Sequence, residues 1–164
     1  MFFNNHSIVT PLFKSGDHRD LNNYRPVSKI SNVSKIFEKA ILNQILNFFD
    51  KNNLFFPYQF GFRKGHNTLN LIQVFLNDVH NKIDNKKQCC AVFIDFSKAF
   101  DSINHIILLN KVKFQYNFSN KTISLIRSYL SYRSQKVQIN KVLSDCLDIK
   151  AGVPQGSLLG PISF

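Results

Sequence analysis

The stretch AVFIDFSKAFD, residues 91 to 101, places two carboxylates directly after a run of apolar residues. The run predicts a buried strand over Cys89–Ile94 that ends at Asp95. A carboxylate in that position must pair, accept hydrogen bonds or bind a metal, because its desolvation alone costs several kcal/mol. The residues alone allow two interpretations of Asp95. Asp95 is a ligand of an active-site Mg²⁺, or it is a strand-end carboxylate paired with a lysine, with Asp101 or Ser102 capping the next helix.

The composition indicates a folded, basic protein. Of the 164 residues 44% are hydrophobic, including 17 Phe and no Trp, so the chain can build a sizeable core. Lys and Arg total 21 against 10 Asp and Glu, which gives a net charge of +11. This excess favours a polyanionic partner, because binding to phosphates releases counterions. No apolar run approaches the roughly 18 residues of a membrane-spanning helix, and we expect no membrane partner.

Cysteine usage and the first residues bear on the compartment. Cys89, Cys90 and Cys146 form no CxxC pair and no Cys/His metal spacing. The opening residues are too polar for the apolar region of a targeting signal. We therefore expect a reducing, intracellular compartment.

Hydrophobic periodicity predicts an α+β arrangement without a clear domain boundary. The predicted strands cover residues 7–13, 135–140 and 145–151, and the predicted helices cover residues 34–50, 68–83, 104–113 and 120–132. The first helix begins at Ser34 and carries Phe37, Ile41 and Ile45 on its apolar face. Asn67 or Thr68 caps the second helix. The segments at residues 14–26 and 51–66 are predicted to be irregular and basic.

Three further stretches contain residues that bind ligands in other proteins. Lys14, Arg19 and Arg25 flank one loop, while Arg63 and Lys64 lie among aromatic residues. Such mixtures hold phosphates and stack on bases, or they are solvated surface loops. The third stretch is AGVPQGSLLGP, residues 151 to 161, whose glycines permit close approach of the backbone to a ligand. It matches neither a Walker loop nor a GxGxxG motif, and a plain turn before a helix remains the alternative.

Taken in order, six blocks resemble the reverse transcriptase domain of non-LTR (LINE-type) retrotransposons. The blocks are IVTPLFKSGD, NYRPVSKISNVSKIFEKAI, QFGFRKGHNT, FIDFSKAFDSINHIILLNK, IRSYLSYRSQKVQIN and GVPQGSLLGPISF. They follow the family's order at similar spacing and cover nearly the whole chain. The resemblance implies a right-hand polymerase fold, with fingers and a partial palm built on an antiparallel sheet. It divides the chain into fingers at residues 1–87, a palm strand and helix at 88–110, a helix and hairpin at 111–150, and the GVPQGS loop with the start of a palm helix at 151–164.

The resemblance also implies roles for residues of the FIDFSKAFD block. Asp95 matches the first catalytic aspartate, a ligand of two Mg²⁺ ions, for which Mn²⁺ is a substitute. The backbone carbonyl of Phe96 matches a further metal ligand. Phe100 falls where the family has an aromatic gate that crowds a ribose 2′-OH and so favours deoxynucleotides. Asp101 is interpreted as structural, holding the turn after the strand.

Roles in nucleotide and template binding follow from the other blocks. Gln155 matches the residue that contacts the incoming nucleotide, in a loop shaped by Gly152, Pro154 and Gly156. Lys14 and Arg25 resemble the residues of the fingers that grip the triphosphate. Arg63 and Lys64 fall in a block that contacts the template. The implied partners are an RNA template, a DNA primer and deoxynucleoside triphosphates; the implied location is the cytoplasm and nucleus, and the oligomeric state stays open.

The match stops before the family's Y/F-x-D-D turn, which carries the remaining catalytic carboxylates, and the sequence contains no Asp-Asp pair. We therefore expect a truncated reverse transcriptase that is inactive by itself, since two metal ions cannot be held by Asp95 alone. Two alternatives stay open. The chain is a non-catalytic RNA-binding remnant, or it is the product of a degenerate reading frame that aggregates through an unpaired sheet edge.

Overall fold

Five strands form one mixed sheet in the computed structural model, which describes residues 6 to 163. The strands are β1 (His6–Phe13), β2 (Tyr24–Lys29), β3 (Arg133–Ile139), β4 (Val142–Leu143) and β5 (Leu147–Ile149). Their order across the sheet is β2-β1-β3-β4, and β5 pairs with β3 as well. The predicted strands at 7–13, 135–140 and 145–151 all coincide with observed ones, although β5 is shorter than expected.

The prediction of an antiparallel sheet is wrong for the pair at the centre. β1 and β2 are antiparallel, with Leu12 opposite Arg25, but β1 and β3 are parallel, with Ile8 opposite Lys136. The reason is the connection, because the chain between β2 and β3 is long and helical and returns β3 to the sheet in the direction of β1. The α+β class is confirmed.

Four α-helices lie within the described residues 6 to 163, close to the predicted positions. They are α1 (Asn32–Lys51), α2 (Thr68–Asp84), α3 (His105–Asn110) and α4 (Asn120–Leu130). Asn67 caps α2 as predicted, since its side chain accepts a hydrogen bond from the backbone N–H of Asn70 at 2.9 Å. α3 is shorter than expected because Lys111–Gln115 continue it as a turn of π-helix. α4 stops before Tyr132, whose φ of 53° cannot continue a helix.

The buried face of α1 differs from the predicted face by one residue. Its buried side chains are Ser34, Glu38 and Ile45, whose spacings of four and seven residues place them on one helical face. Phe37, placed by the sequence on the core face, is 42% exposed. The helix therefore directs a carboxylate into the interior, where the pattern of large apolar residues predicted a phenylalanine.

The buried strand predicted over Cys89–Ile94 is absent. Val92, Phe93 and Ile94 are 79%, 82% and 79% exposed, and their backbone pairs with no strand among residues 6 to 163. Strand propensity alone does not form a strand, because the ladder needs a neighbouring strand to accept and donate its hydrogen bonds. The apolar face of α2 is likewise exposed, from Leu69 to Ile83.

The chain divides into two compact units. The first comprises the residues up to Phe48 together with those from Lys98 onward, and the second is Phe49–Ser97. The first unit contains the sheet and the GVPQGS loop, and the second contains α2 and Asp95. Across residues 6 to 163 we find no helix that is both long and apolar enough to cross a membrane.

Candidate nucleotide-binding cleft

The GVPQGS loop of the first unit is held by backbone hydrogen bonds to two distant parts of the chain. The N–H of Gly152 donates to the carbonyl of Ile103 at 2.8 Å, and that of Val153 donates to the carbonyl of Phe100 at 2.9 Å. The N–H of Ser28, on β2, donates to the carbonyl of Gln155 at 2.8 Å. The loop thus lies between the edge of the sheet and the end of the FIDFSKAFD block.

Two glycines of this loop have no room for a side chain. Gly152 has a φ of +81°, and a Cβ there would lie 2.7 Å from the carbonyl oxygen of Asp101. Gly156 has a φ of +127°, and a Cβ there would lie 2.7 Å from the carbonyl oxygen of Ser28. Both the left-handed backbone and the close approach of another part of the main chain therefore require glycine.

Gln155 and Asp101 are joined although 54 residues separate them in the sequence. The side-chain amide of Gln155 donates to the two carboxylate oxygens of Asp101, at 3.1 and 3.2 Å. The backbone N–H of Asp101 donates to the carbonyl of Lys98 at 2.9 Å, within the turn. On the other side of the loop, Nε2 of His105 lies 2.7 Å from the carbonyl oxygen of Gly152. The Asp101 carboxylate orients the Gln155 amide, and His105 contacts the backbone of the loop at Gly152.

A cleft of about 250 Å³ opens beside this pair. Its lining combines the loop, the edge of β2 and the start of β3, with one acidic and one basic side chain among otherwise uncharged groups. The lining residues are Pro26, Ser28, Asp101, Arg133, Gln135, Ile149, Ala151, Gly152, Val153, Pro154 and Gln155. The cleft has the mixed polar and apolar lining that is common in ligand sites.

Beneath the loop lies a buried cluster of ionisable groups. Glu38 is 1% exposed, and its Oε2 accepts hydrogen bonds from the backbone N–H groups of Leu158 and Leu159, at 2.6 and 3.4 Å. Arg133 is also buried, donates to the carbonyl of Tyr129 at 3.1 Å and packs over that ring. The hydroxyl of Tyr129 lies beside Ser157. The cluster connects α1, α4 and β3 with the GVPQGS loop.

Burial dominates the pKa values in this cluster. It raises the pKa of Glu38 above 4.5, although the two N–H donors and nearby Arg133 oppose the rise. Burial, and then the charge of Glu38, raises the pKa of Tyr129 to about 12. Burial lowers the pKa of Arg133, and the nearby side chains of Tyr129 and Glu38 oppose this change.

The predicted triphosphate-gripping residues are near this cleft in the chain but do not line it. Arg25 lies opposite Leu12 on the exposed face of the β1–β2 hairpin, whereas the adjacent Pro26 lines the cleft. Lys14 is exposed, and its backbone N–H donates to Asn23 at 2.8 Å. Phe100, the predicted sugar gate, is half-buried, and its carbonyl accepts the hydrogen bond from Val153.

The second unit carries the remaining predicted site residues. Asp95 and Phe96 are exposed in the segment without regular secondary structure that follows α2. The guanidinium of Arg63 lies over the ring of Phe55, 4.9 Å from its centroid, and the exposed Lys64 accepts a hydrogen bond from His66 at its carbonyl. Residues 63 and 64 thus belong to a basic and aromatic surface, as their composition indicated.

Comparison with known proteins decides the family. The profile described as "Reverse transcriptase (RNA-dependent DNA polymerase)" matches residues 14–164. The chain belongs to the reverse transcriptase family. The resemblance seen in the six blocks is confirmed, and it includes relatives from non-LTR elements.

Three relatives of this reverse transcriptase chain come from Drosophila melanogaster. The "Probable RNA-directed DNA polymerase from transposon BS" is 36% identical over 141 residues, which is 86% of this chain and 15% of the relative. The corresponding protein from transposon X-element is 33% identical over 158 residues, 96% of this chain and 17% of the relative. The "RNA-directed DNA polymerase from mobile element jockey" is 35% identical over 145 residues, 88% of this chain and 16% of the relative. The chain thus spans about one sixth of their length.

Reverse transcriptases generally depend on divalent metal ions, which side chains of His, Cys, Asp and Glu can bind. Within residues 6 to 163, no three side chains of His, Cys, Asp or Glu lie close enough together to hold an ion. Asp95 is thus a single predicted ligand, whereas transfer with two metals needs several carboxylates. The described residues by themselves do not fit a complete metal centre.

Glu38, Tyr129 and Arg133 are the residues of the site that the sequence reasoning missed. A signal for Glu38 was present, because Ser34, Glu38 and Ile45 share one helical face, and Glu38 is the only glutamate in the chain. Arg133 begins a strand and reads as a surface residue. Its burial follows from the parallel pairing of β3 with β1, which no local pattern predicts.

Proposed function

We propose that the chain is a section of an RNA-directed DNA polymerase of a non-LTR retrotransposon. It would supply the fingers and part of the palm of a right-hand polymerase and act inside the cell, in the cytoplasm and nucleus. The observation that supports this most strongly is the cleft at Gln155, because the two blocks most specific to the family meet there through the Gln155–Asp101 hydrogen bonds.

In this proposal the cleft receives part of the incoming deoxynucleoside triphosphate. The amide of Gln155 is oriented by Asp101, and Gly152 and Gly156 let the loop approach its neighbours closely. Lys14 and Arg25 add positive charge on the hairpin that also supplies Pro26 and Ser28 to the lining. Phe100 limits the room for a 2′-OH, and Pro154 keeps the loop rigid.

Asp95 is the proposed catalytic carboxylate, with the carbonyl of Phe96 beside it. Mg²⁺ or Mn²⁺ would need further carboxylates besides Asp95 to be held there, since no group of three possible ligands exists within residues 6 to 163. Arg63 and Lys64, with the aromatic residues around them, are proposed to contact the RNA template paired with its DNA primer.

A chimeric enzyme tests the proposal. The chain would replace the aligned 145 residues of the jockey polymerase, and DNA synthesis would be measured on an RNA template with a DNA primer. We expect synthesis by the chimera and a loss of about 10²- to 10³-fold in kcat for Asp95→Asn, because removal of one preorganised stabilising group has effects of that size. By itself the 164-residue chain should give no product.

The matched control is Asp78→Asn, which removes an exposed carboxylate from α2 and should leave kcat unchanged. If Asp95→Asn and Asp78→Asn support equal synthesis, the catalytic role of Asp95 is wrong. If the unmodified chimera makes no DNA while the parent polymerase does, the proposed function of the chain fails.

The second candidate is a non-catalytic RNA-binding remnant, which the net charge of +11 favours. Exposed Lys14 and Lys64 and the stacked Arg63 would then bind phosphates and bases. The logarithm of the affinity of the chain for single-stranded RNA should fall linearly with the logarithm of the salt concentration. Neutralising Lys64 should reduce the slope of this line by about one. An affinity for RNA that does not change with the salt concentration would count against this candidate.

A further inference from the structure

We propose that Glu38 is a positioning residue for the nucleotide-binding loop: its buried carboxylate holds the backbone that follows Gln155. The proposal rests on the proposed function, because Gln155 has a role to be positioned for only if the cleft binds a nucleotide. Glu38 lies 117 residues before Gln155 by sequence number, on α1, and was assigned no role by the sequence motifs.

The geometry gives three successive backbone N–H groups an acceptor. Oε2 of Glu38 accepts from Leu158 at 2.6 Å and from Leu159 at 3.4 Å, and Oγ of Ser157 accepts from Gly160 at 3.0 Å. Leu158 and Leu159 directly precede the short 3-10 helix Gly160–Ser163, and Gly160 is its first residue, whose N–H has no partner within the helix. The carboxylate therefore supplies acceptors that this turn of backbone lacks.

The alternative, that Glu38 is a buried residue with only a packing role, does not explain its chemistry. An apolar side chain at position 38 would fill the space without the cost of burying a carboxylate. It would also leave the N–H groups of Leu158 and Leu159 without this acceptor, which is unfavourable for buried donors. The one glutamate of the chain is therefore located where a buried acceptor is needed.

Gln155 lies between two anchors. On one side its carbonyl accepts the hydrogen bond from Ser28, on β2. Three residues later, Leu158 donates to Glu38, on α1. With both anchors in place, the Gln155 side chain reaches Asp101. Without Glu38 the second anchor is lost, and the backbone that orients the amide is fixed at one end only.

Amide hydrogen exchange on the whole chain tests the anchor directly. We expect Glu38→Met, which keeps the length but has no strong acceptor, to speed exchange at Leu158 and Leu159 at least about tenfold, since a hydrogen bond to a charged group is lost. Glu38→Gln, which keeps one acceptor oxygen, should show a smaller increase. Asp78→Asn, the matched loss of an exposed carboxylate, should change nothing in the loop.

Steady-state kinetics in the jockey chimera test whether Glu38 affects nucleotide binding. We expect Glu38→Gln to raise KM for the nucleotide about tenfold with kcat within about threefold, the pattern of lost nucleotide positioning, and Gln155→Ala to show the same split. A purely structural role would lower the active fraction, and so reduce kcat with KM unchanged.

The two measurements separate the possible failures. Unchanged exchange at Leu158 and Leu159 in both Glu38 variants overturns the inference, whatever the activity. Faster exchange with an unchanged KM in an active chimera overturns the positioning role and leaves only a structural one. An inactive unmodified chimera overturns the proposed function, and the positioning role with it, while the exchange data still decide whether Glu38 anchors the loop.

Discussion

The loop at residues 152–160 and the segment at residues 88–96 carry the two most informative motifs, yet the structure treats them in opposite ways. The loop forms hydrogen bonds with residues of α1, of β2 and of the turn at Asp101. The segment ending at Asp95 is exposed and pairs with no strand within residues 6 to 163. The exposed segment is the more apolar of the two by sequence, so composition did not decide the outcome.

Order in this chain depends on distant hydrogen-bond partners. A loop without regular secondary structure is well fixed when distant residues satisfy its backbone groups. An apolar run with high strand propensity stays exposed when no neighbour completes its ladder. Substitutions in the loop should therefore affect stability strongly, and equivalent substitutions near Asp95 should affect it weakly.

The largest effect is expected from Gly152→Ala. The new Cβ would lie 2.7 to 2.9 Å from backbone atoms of Phe100 and Asp101, and φ would stay at +81°. Overlap with backbone atoms and left-handed strain together should reduce the free energy of unfolding by about 4 kcal/mol or more. Urea unfolding followed by circular dichroism would measure the loss.

Two glycines of the second unit provide graded controls for that experiment. Gly65→Ala adds strain alone, since φ is +76° and no atom lies within 4 Å, and should cost about 1 kcal/mol. Gly61→Ala adds neither strain nor a contact and should be neutral. Equal losses in all three variants would show that the loop is no better fixed than the other segment.

Truncation of one aliphatic side chain in each region compares the loop with the segment ending at Asp95 directly. Leu159, at the end of the loop, is 5% exposed, so Leu159→Ala should reduce the free energy of unfolding by about 3 kcal/mol through lost burial and a cavity. Ile94→Ala removes a side chain that is already in water and should change it by less than about 0.5 kcal/mol. A comparable loss for Ile94→Ala would mean that the segment at Asp95 is packed in solution.

The same contrast explains how much the sequence could predict. Local patterns were sufficient for α2, because Asn67 is a strong N-cap, and for β3, because its residues alternate. They failed where the outcome depends on distant partners. The parallel pairing of β1 with β3, the burial of Glu38 and the exposure of Val92 all depend on which element lies opposite. The Gln155–Asp101 contact could be expected only as two motifs of one family, not as a hydrogen bond.

Alkaline pH should weaken the support beneath the loop. The pKa of Tyr129 is raised to about 12 from 10.0, so its folded state prefers the protonated phenol. Its contribution to stability is therefore complete below pH 10 and is lost as the pH rises through 12. At 1.36 kcal/mol per pKa unit, this loss is about 2 to 3 kcal/mol. Unfolding measured across that window should show a smaller decline for Tyr129→Phe.

The exposed Tyr58 gives the matched control for the alkaline experiment. Tyr58→Phe should follow the wild-type decline, because its phenol is solvated in both the folded and unfolded states. A Tyr129→Phe protein with a wild-type decline would mean that the phenol is accessible to water.

The smallest effect concerns the acid range and separates stability from positioning. Burial raises the pKa of Glu38 above 4.5, so the folded state favours the protonated acid. Its contribution is present below pH 4.5 and is lost as the pH rises through the folded pKa. The stability of the wild type relative to Glu38→Gln, which does not titrate, should therefore fall as the pH rises from 4.5 towards neutrality.

Urea unfolding of both proteins at several pH values would measure this difference in stability, and a difference that grows with pH would contradict the prediction. This titration concerns global stability, whereas the hydrogen bonds of Glu38 to Leu158 and Leu159 act on the loop. Glu38→Gln should accordingly loosen the loop without unfolding the sheet, as expected of a residue that acts on Gln155 rather than on the fold.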